Sequence, residues 1–196
     1  MPAKFGKPWL AFVLVFLLAA CAELRYSQSS PGAKDFHPKK VLVLPADVAA
    51  YGEARGVVEE IVGTVLTDRG WFTEVIAGSA LAKRMAENAE LRTAVTAYTA
   101  KLNSLSFSDP EASRRIADLS GADALLAVNV DMWNYAREKD DKFAKVGLGM
   151  RLIDAGSAAI VWKAGDLAID QYRVIKPELA DVARSLVKRI IDYMPH

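Results

Sequence analysis

Residues 40–76, KVLVLPADVAAYGEARGVVEEIVGTVLTDRGWFTEVI, decide the fold class. Lys40-Val41-Leu42-Val43-Leu44 is a short apolar run closed by Pro45, the pattern of a strand buried on both faces. Tyr51-Gly52-Glu53 opens a helix. Within it Val57, Val58, Ile61, Val62, Val65 and Leu66 recur at helical spacing, and Gly70 stops it after Arg69. Trp71 to Ile76 (WFTEVI) is β-branched and aromatic, which makes it a second strand. Strand, helix and strand within about forty residues form a βαβ unit, whose crossover is right-handed.

Downstream, Ala80 to about Leu105 is Ala-rich and helical with little packing pattern, divided near Asn88. Ser108-Asp109-Pro110-Glu111 starts another helix with a capping side chain, a first-turn proline and an early acid. That helix ends at Gly121. From Ala124 to Trp133, Leu126, Val128, Val130 and Met132 alternate with Ala127, Asn129, Asp131 and Trp133, the period of a strand with one apolar face. Lys145–Ile153 repeats this with Val146, Leu148, Met150 and Leu152 inward. After the turn Asp154-Ala155-Gly156-Ser157, a strand returns over Ala158–Lys163. Arg137–Lys142 (REKDDK) reads as a solvated hairpin tip, and Pro177–Met194 as an amphipathic helix. The expected fold is α/β, on the border of α+β. It is a single domain over residues 38–196: a mixed sheet with an N-terminal βαβ unit, a C-terminal antiparallel meander and helices packed on the sheet.

The N-terminus carries a different message. Lys4 and Lys7 precede Trp9–Ala20 (WLAFVLVFLLAA), an apolar segment too short, at about 1.5 Å per residue, to span a roughly 30 Å hydrocarbon core. It suits the h-region of a signal peptide over residues 1–20. Leu18-Ala19-Ala20-Cys21 ends it with the sole cysteine of the chain, so cleavage between Ala20 and Cys21 with lipidation of Cys21 is expected. Residues 21–37, with Ser27-Gln28-Ser29-Ser30-Pro31-Gly32 at their centre, read as a flexible lipidated tether.

Loss of Lys4 and Lys7 takes basic residues from 25 to 23 against 24 acids, a near-neutral mature chain that argues against nucleic acid as a partner. With Cys21 acylated, no thiol is left for a disulfide, a zinc site or a nucleophile. His37 and His196 are the only histidines, one in the tether and one at the last residue, so no cofactor or metal is expected and no His-based triad. Gly147-Leu148-Gly149 lacks the third glycine of a dinucleotide loop and marks a close backbone approach to the sheet. Among carboxylates, Asp131, Glu138, Asp140, Asp141 and Asp154 are candidates. Asp131 with Asn129 on one strand face forms the more informative pair, read as solvent-exposed or as a partner contact before a catalytic one. Trp133 and Tyr135 are candidate interface anchors if exposed, with core filling the default for Trp133. As exposed anchors, both would tolerate alanine without loss of the fold.

Two sets of residues carry a family resemblance. The pattern L-A-A-C resembles the lipobox of bacterial lipoproteins, and Ala22 after it implies the outer membrane. Gly121–Val128 (GADALLAV) with Val146–Lys163 (VGLGMRLIDAGSAAIVWK) resembles a group of envelope lipoproteins. The group includes LpoB-type activators of penicillin-binding proteins, curli secretion lipoproteins and lipoproteins related to a neisserial surface antigen. The likeness covers most of residues 40–164, with a departure at Ala155–Ala159, where relatives carry a Thr-Gly or Ser-Gly turn. It implies a non-enzymatic, lipid-anchored protein on the periplasmic face that docks onto envelope machinery (a synthase, a transporter or a secretion complex) and leaves a homo-oligomer open. The competing expectation is a periplasmic hydrolase built on carboxylates such as Asp131 and Asp154. A curli-type channel would need long barrel strands, and the hairpin around residues 130–150 reads as too short for one.

Overall fold

The computed structural model describes residues 24–196. The expectations for Ala20 and Cys21 lie outside the described residues. Six strands form one mixed sheet in the order β1-β6-β5-β4-β2-β3. They are β1 (Tyr26–Ser29), β2 (Lys40–Val43), β3 (Glu74–Ile76), β4 (Ala124–Glu138), β5 (Asp141–Asp154) and β6 (Ile160–Tyr172). β2 runs parallel to β3 and to β4, while β4, β5, β6 and β1 pair antiparallel. Five helices cover it: α1 (Val57–Arg69), α2 (Gly78–Glu87), α3 (Ala89–Leu105), α4 (Pro110–Ser120) and α5 (Leu179–Ile191). This is the α/β fold expected from the sequence, with an open sheet and no closed barrel.

Alternation along β2 builds two hydrophobic layers. Val41 and Val43 face α1 and α5, whose Val58, Ile61, Val62, Val65, Leu186, Val187 and Ile190 fill the larger core. Leu42 and the following Leu44 face the other way, against Leu81, Leu91, Val95, Tyr98 and Ile116 of α2, α3 and α4. Helix boundaries follow local chemistry. Gly70 ends α1 with φ 67°, a conformation that glycine adopts without a Cβ penalty. Asn88 caps α3, accepting from the amides of Glu90 and Leu91, and Asp109 caps α4 through those of Glu111 and Ala112.

Four expectations need correction. The segment read as flexible tether is largely ordered: Tyr26–Ser29 pairs with Trp162–Gly165, and Pro31–Asp35 forms a 3-10 turn. Its polar composition conceals this because an edge strand is held chiefly by backbone hydrogen bonds, which any sequence can make. Leu24 adds a buried apolar side chain. Second, α3 does have a packing stripe: Leu91, Val95, Tyr98 and Leu102 are buried one or two turns apart. Third, the strand Trp71–Ile76 shortens to β3, because Trp71 leaves the sheet to stack on the His196 ring at 3.8 Å. Fourth, β4, β5 and β6 run to 15, 14 and 13 residues, so shortness of the hairpin no longer argues against a channel; the open sheet is what describes this chain.

Candidate functional site

A β-bulge decides which residues of β4 reach the surface. Asn129 pairs with Gly149 and Val130 with Leu148, but the next pair is Met132 with Gly147, so Asp131 is the extra residue. One extra residue reverses the parity of everything after it. Val130 faces the α1–α5 core, and past the bulge so do Trp133 and Tyr135. Trp133 is only 4% exposed and is a core residue, not an interface anchor. Tyr135 is half-buried: its hydroxyl donates to the Pro177 carbonyl at 2.9 Å, the Lys176 ammonium sits 3.5 Å over its ring, and Tyr172 meets it edge-on. Met132, expected inward, is half-exposed on the opposite face with Asn129 and the exposed Asp131.

On that opposite face α2, α3 and α4 cover the β2 end of the sheet and leave the far halves of β4, β5 and β6 open. The register lines up Tyr26, Gly165, Gly149 and Asn129 in one row across four strands. The glycines form its floor. A Cβ at Gly149 would fall 2.5 Å from the Asn129 amide oxygen, and one at Gly165 would fall 2.6 Å from the Tyr26 hydroxyl oxygen. The Asn129 amide donates to Asp131 at 2.6 Å. Partial burial raises the Tyr26 phenol above its ordinary value. The Asp131 carboxylate pushes the same way, against the pull of Arg151 and Arg25. Asn129 and Asp131 thus share one surface as expected, joined by Tyr26 and two glycines that sequence reading did not connect to them. The glycine spacing was the available signal; only pairing shows which side chains lie over them.

The other carboxylates do not converge. Asp154 pairs with Ala124 at the start of β4, seven residues and about 24 Å from Asp131 in the middle of that strand at 3.4 Å per residue. It closes its own turn, accepting from the Gly156 amide at 3.0 Å and the Ser157 hydroxyl at 2.6 Å. Glu138 pairs with Lys145, and Asp141 accepts from the Gln171 amide. Among the described residues no group of three or more His, Cys, Asp or Glu is arranged to hold a metal ion. The histidines meet beside Trp71, on which His196 stacks, with His37 Nδ1 at 3.1 Å from the His196 carbonyl oxygen, to which its N–H form donates. In the groove between α3 and α4, Lys101 pairs with Asp109 and Arg115 with Glu90. The apolar pocket between α1 and α2 borders Glu59, whose carboxylate is committed to the amides of Ala46 and Gly56.

One buried charge had no sequence signal. Asp166 of β6 is 9% exposed and accepts from Arg189 of α5 at 2.7 Å and from the Arg25 amide at 3.4 Å. It ties the C-terminal helix, the sheet and the start of the described chain together. Beyond Gly165, β1 no longer pairs with β6, so no strand among the described residues covers the Leu167–Tyr172 edge, where the Leu167 carbonyl accepts from Arg189 at 3.5 Å.

No protein-family model matches the sequence. A search of curated proteins finds no match either. Among solved structures, the fold is similar to that of the PelC dodecamer from Paraburkholderia phytofirmans, with TM-score 0.56 and 18% identity over 87% of this chain and 99% of that one. It is also similar to the lipoprotein GNA1162 from Neisseria meningitidis, with TM-score 0.54 and 16% identity over 76% of this chain and 95% of that one. At such identities the likeness is one of fold. A neisserial lipoprotein therefore stands among the structural neighbours, in line with the kind of group that the sequence resembles. No helix among the described residues is long and apolar enough to cross a membrane.

Proposed function

We propose that this chain is a non-enzymatic, lipid-anchored protein of the bacterial envelope, held through Cys21 on the periplasmic face of the outer membrane. It acts as an accessory of envelope machinery, as a synthase activator, a transporter auxiliary or a secretion component, and it assembles with copies of itself. The observation that carries this reading is the fold likeness over almost the whole length of two chains, one a lipoprotein and one a dodecamer. Two surfaces support the assembly step: the uncovered edge Leu167–Tyr172, which can accept another strand, and the glycine-floored open face beside it. The hydrolase reading finds no support in the separated Asp131 and Asp154.

Fractionation of cells carrying Cys21→Ser tests the anchor. The variant is expected to leave the membrane fraction or to remain unprocessed, and a processed, membrane-bound form would refute the lipobox. Crosslinking in intact cells followed by mass spectrometry tests the assembly and names the partner. Recovery of this chain only as a monomer, with no envelope protein attached, would overturn the accessory role.

A further inference from the structure

The geometry points to a second membrane contact, made by the loop between β6 and α5. Resting on the reading of Cys21 as the lipid anchor, we propose that Val174 and Ile175 seat in the headgroup–acyl boundary of the bilayer that holds its acyl chains.

Exposure is the first observation. Val174 is 93% and Ile175 84% exposed, next to each other and bracketed by Arg173 and Lys176. The base of this loop is held firmly. Tyr135 accepts the Lys176 ammonium over its ring and donates to the Pro177 carbonyl, so the apolar pair projects from a fixed point. An apolar tip between long cationic side chains suits a lipid interface. The aliphatic groups enter the acyl boundary while Arg173 reaches back to phosphate level.

Chain length and direction are the second observation. β1 is antiparallel to β6, so from Tyr26 back towards Cys21 the chain sets out in the direction in which β6 runs. Arg25 is fastened to Asp166, and Leu24 is buried. Cys21 is four residues from Arg25 and so, whatever path they take, within about 14 Å of it. From Asp166 to Tyr172 β6 advances six residues, about 20 Å, and the Val174–Ile175 pair follows. The loop therefore reaches as far as the anchor can or farther. With β6 directed at the bilayer, Cys21 cannot enter the lipid without bringing Val174 and Ile175 to it. Had residues 26–35 been a loose tether, no such constraint would exist.

The β4–β5 hairpin tip lies at the same end, since Lys142 pairs with Tyr172. It brings Arg137, Lys139 and Lys142 together with Glu138, Asp140 and Asp141, and Glu178 follows the loop. These charges nearly balance, so the contact rests on the apolar pair and not on a field of one sign.

Lipidation leaves the mature protein without a free thiol, so Val174→Cys and, at the opposite end of β5, Ser157→Cys each carry one site for a nitroxide label. The full lipidated protein is reconstituted in phosphatidylethanolamine–phosphatidylglycerol vesicles, with lipidation checked by mass and by flotation. Electron paramagnetic resonance then compares collisions with oxygen and with a water-soluble nickel complex. The label at 174 is expected to favour oxygen, at a depth of about 5–10 Å, and that at 157 to favour nickel. Floating protein with both labels equally open to nickel overturns the loop contact and leaves the anchor reading standing. A label at 174 shielded from both relaxants means that protein covers the pair, and also overturns it. Protein that lacks the acyl chains and does not float overturns the anchor reading and this contact with it.

Discussion

Tyr26 lies across Gly165, its hydroxyl oxygen 2.6 Å from where a Cβ at that glycine would be. The edge strand thus rests on a neighbour chosen for having no side chain. This contact helps to turn a polar segment into part of the sheet, and it makes the first prediction specific.

Gly165→Val must push the Tyr26 ring off the sheet, because the blocking atoms include the ring itself. Overpacking of this kind costs about 1–3 kcal/mol. Hydrogen exchange should quicken at Ser27–Ser29 while the amides of α1 stay protected. Unchanged exchange in β1 would show that the strand does not depend on the Tyr26 contact.

Asp166→Asn keeps the shape but removes the charge that Arg189 and the Arg25 amide share. Arg189 is about one-third exposed, which screens the loss, so a destabilisation of about 1–3 kcal/mol is expected in urea titrations. Loss of the pair should also free the start of the chain, raising proteolysis near Arg25. A variant as stable and as resistant as the parent would deny the tie.

The bulge at Asp131 predicts opposite outcomes for neighbours on β4. Trp133→Ala opens a cavity in the α1–α5 core and should cost about 3–5 kcal/mol. Met132→Glu, half-exposed on the open face, should change stability by under about 1 kcal/mol. If the open face is an assembly surface, Met132→Glu should also lower the mass measured by light scattering. The stability contrast tests the register, and the mass tests the assembly.

Acid should weaken the fold through Glu74 and Asp109. The Arg84 guanidinium, with help from Lys40, holds the Glu74 carboxyl below its ordinary 4.5. The Lys101 ammonium, then the Ala112 and Glu111 amides, hold Asp109 below 3.8. A carboxyl with a depressed folded value stabilises above its unfolded value, and that contribution disappears as pH falls through the folded one. Stability should therefore drop with pH below about 4.5. The drop should be shallower in Glu74→Gln combined with Asp109→Asn. An identical slope in thermal melts of the double variant would remove these two groups from the account.

Legibility in the sequence tracked the range of the interactions involved. The βαβ unit, the stop at Gly70, the Asn88 division and the Asp109 cap were readable because capping and periodicity are settled within a few residues. Tyr98 in the α3 stripe was harder to place as core, since an Ala-rich helix shows small residues on every face. Asn129 and Asp131 were placed together correctly, yet Trp133 was not. An alternating pattern cannot reveal an inserted residue, because hydrogen bonding to a partner strand defines a bulge.

From its residues alone the chain declares a mixed α/β layer fold, a near-neutral charge and an expected acylated Cys21. Each follows from composition or from local stereochemistry. Tertiary structure alone decided that β1 joins the sheet, that Trp133 turns inward, and that Tyr26, Asn129 and Asp131 gather above two glycines. It also placed the exposed Val174 and Ile175 after the end of β6, the direction in which β1 runs when followed back from Ser29 to Tyr26. These are matters of register between separate segments, more than one hundred residues apart for Tyr26 and Gly165 and across the β4–β5 hairpin for the bulge that turns Trp133 inward. Pairing and packing set that register after the local elements have formed.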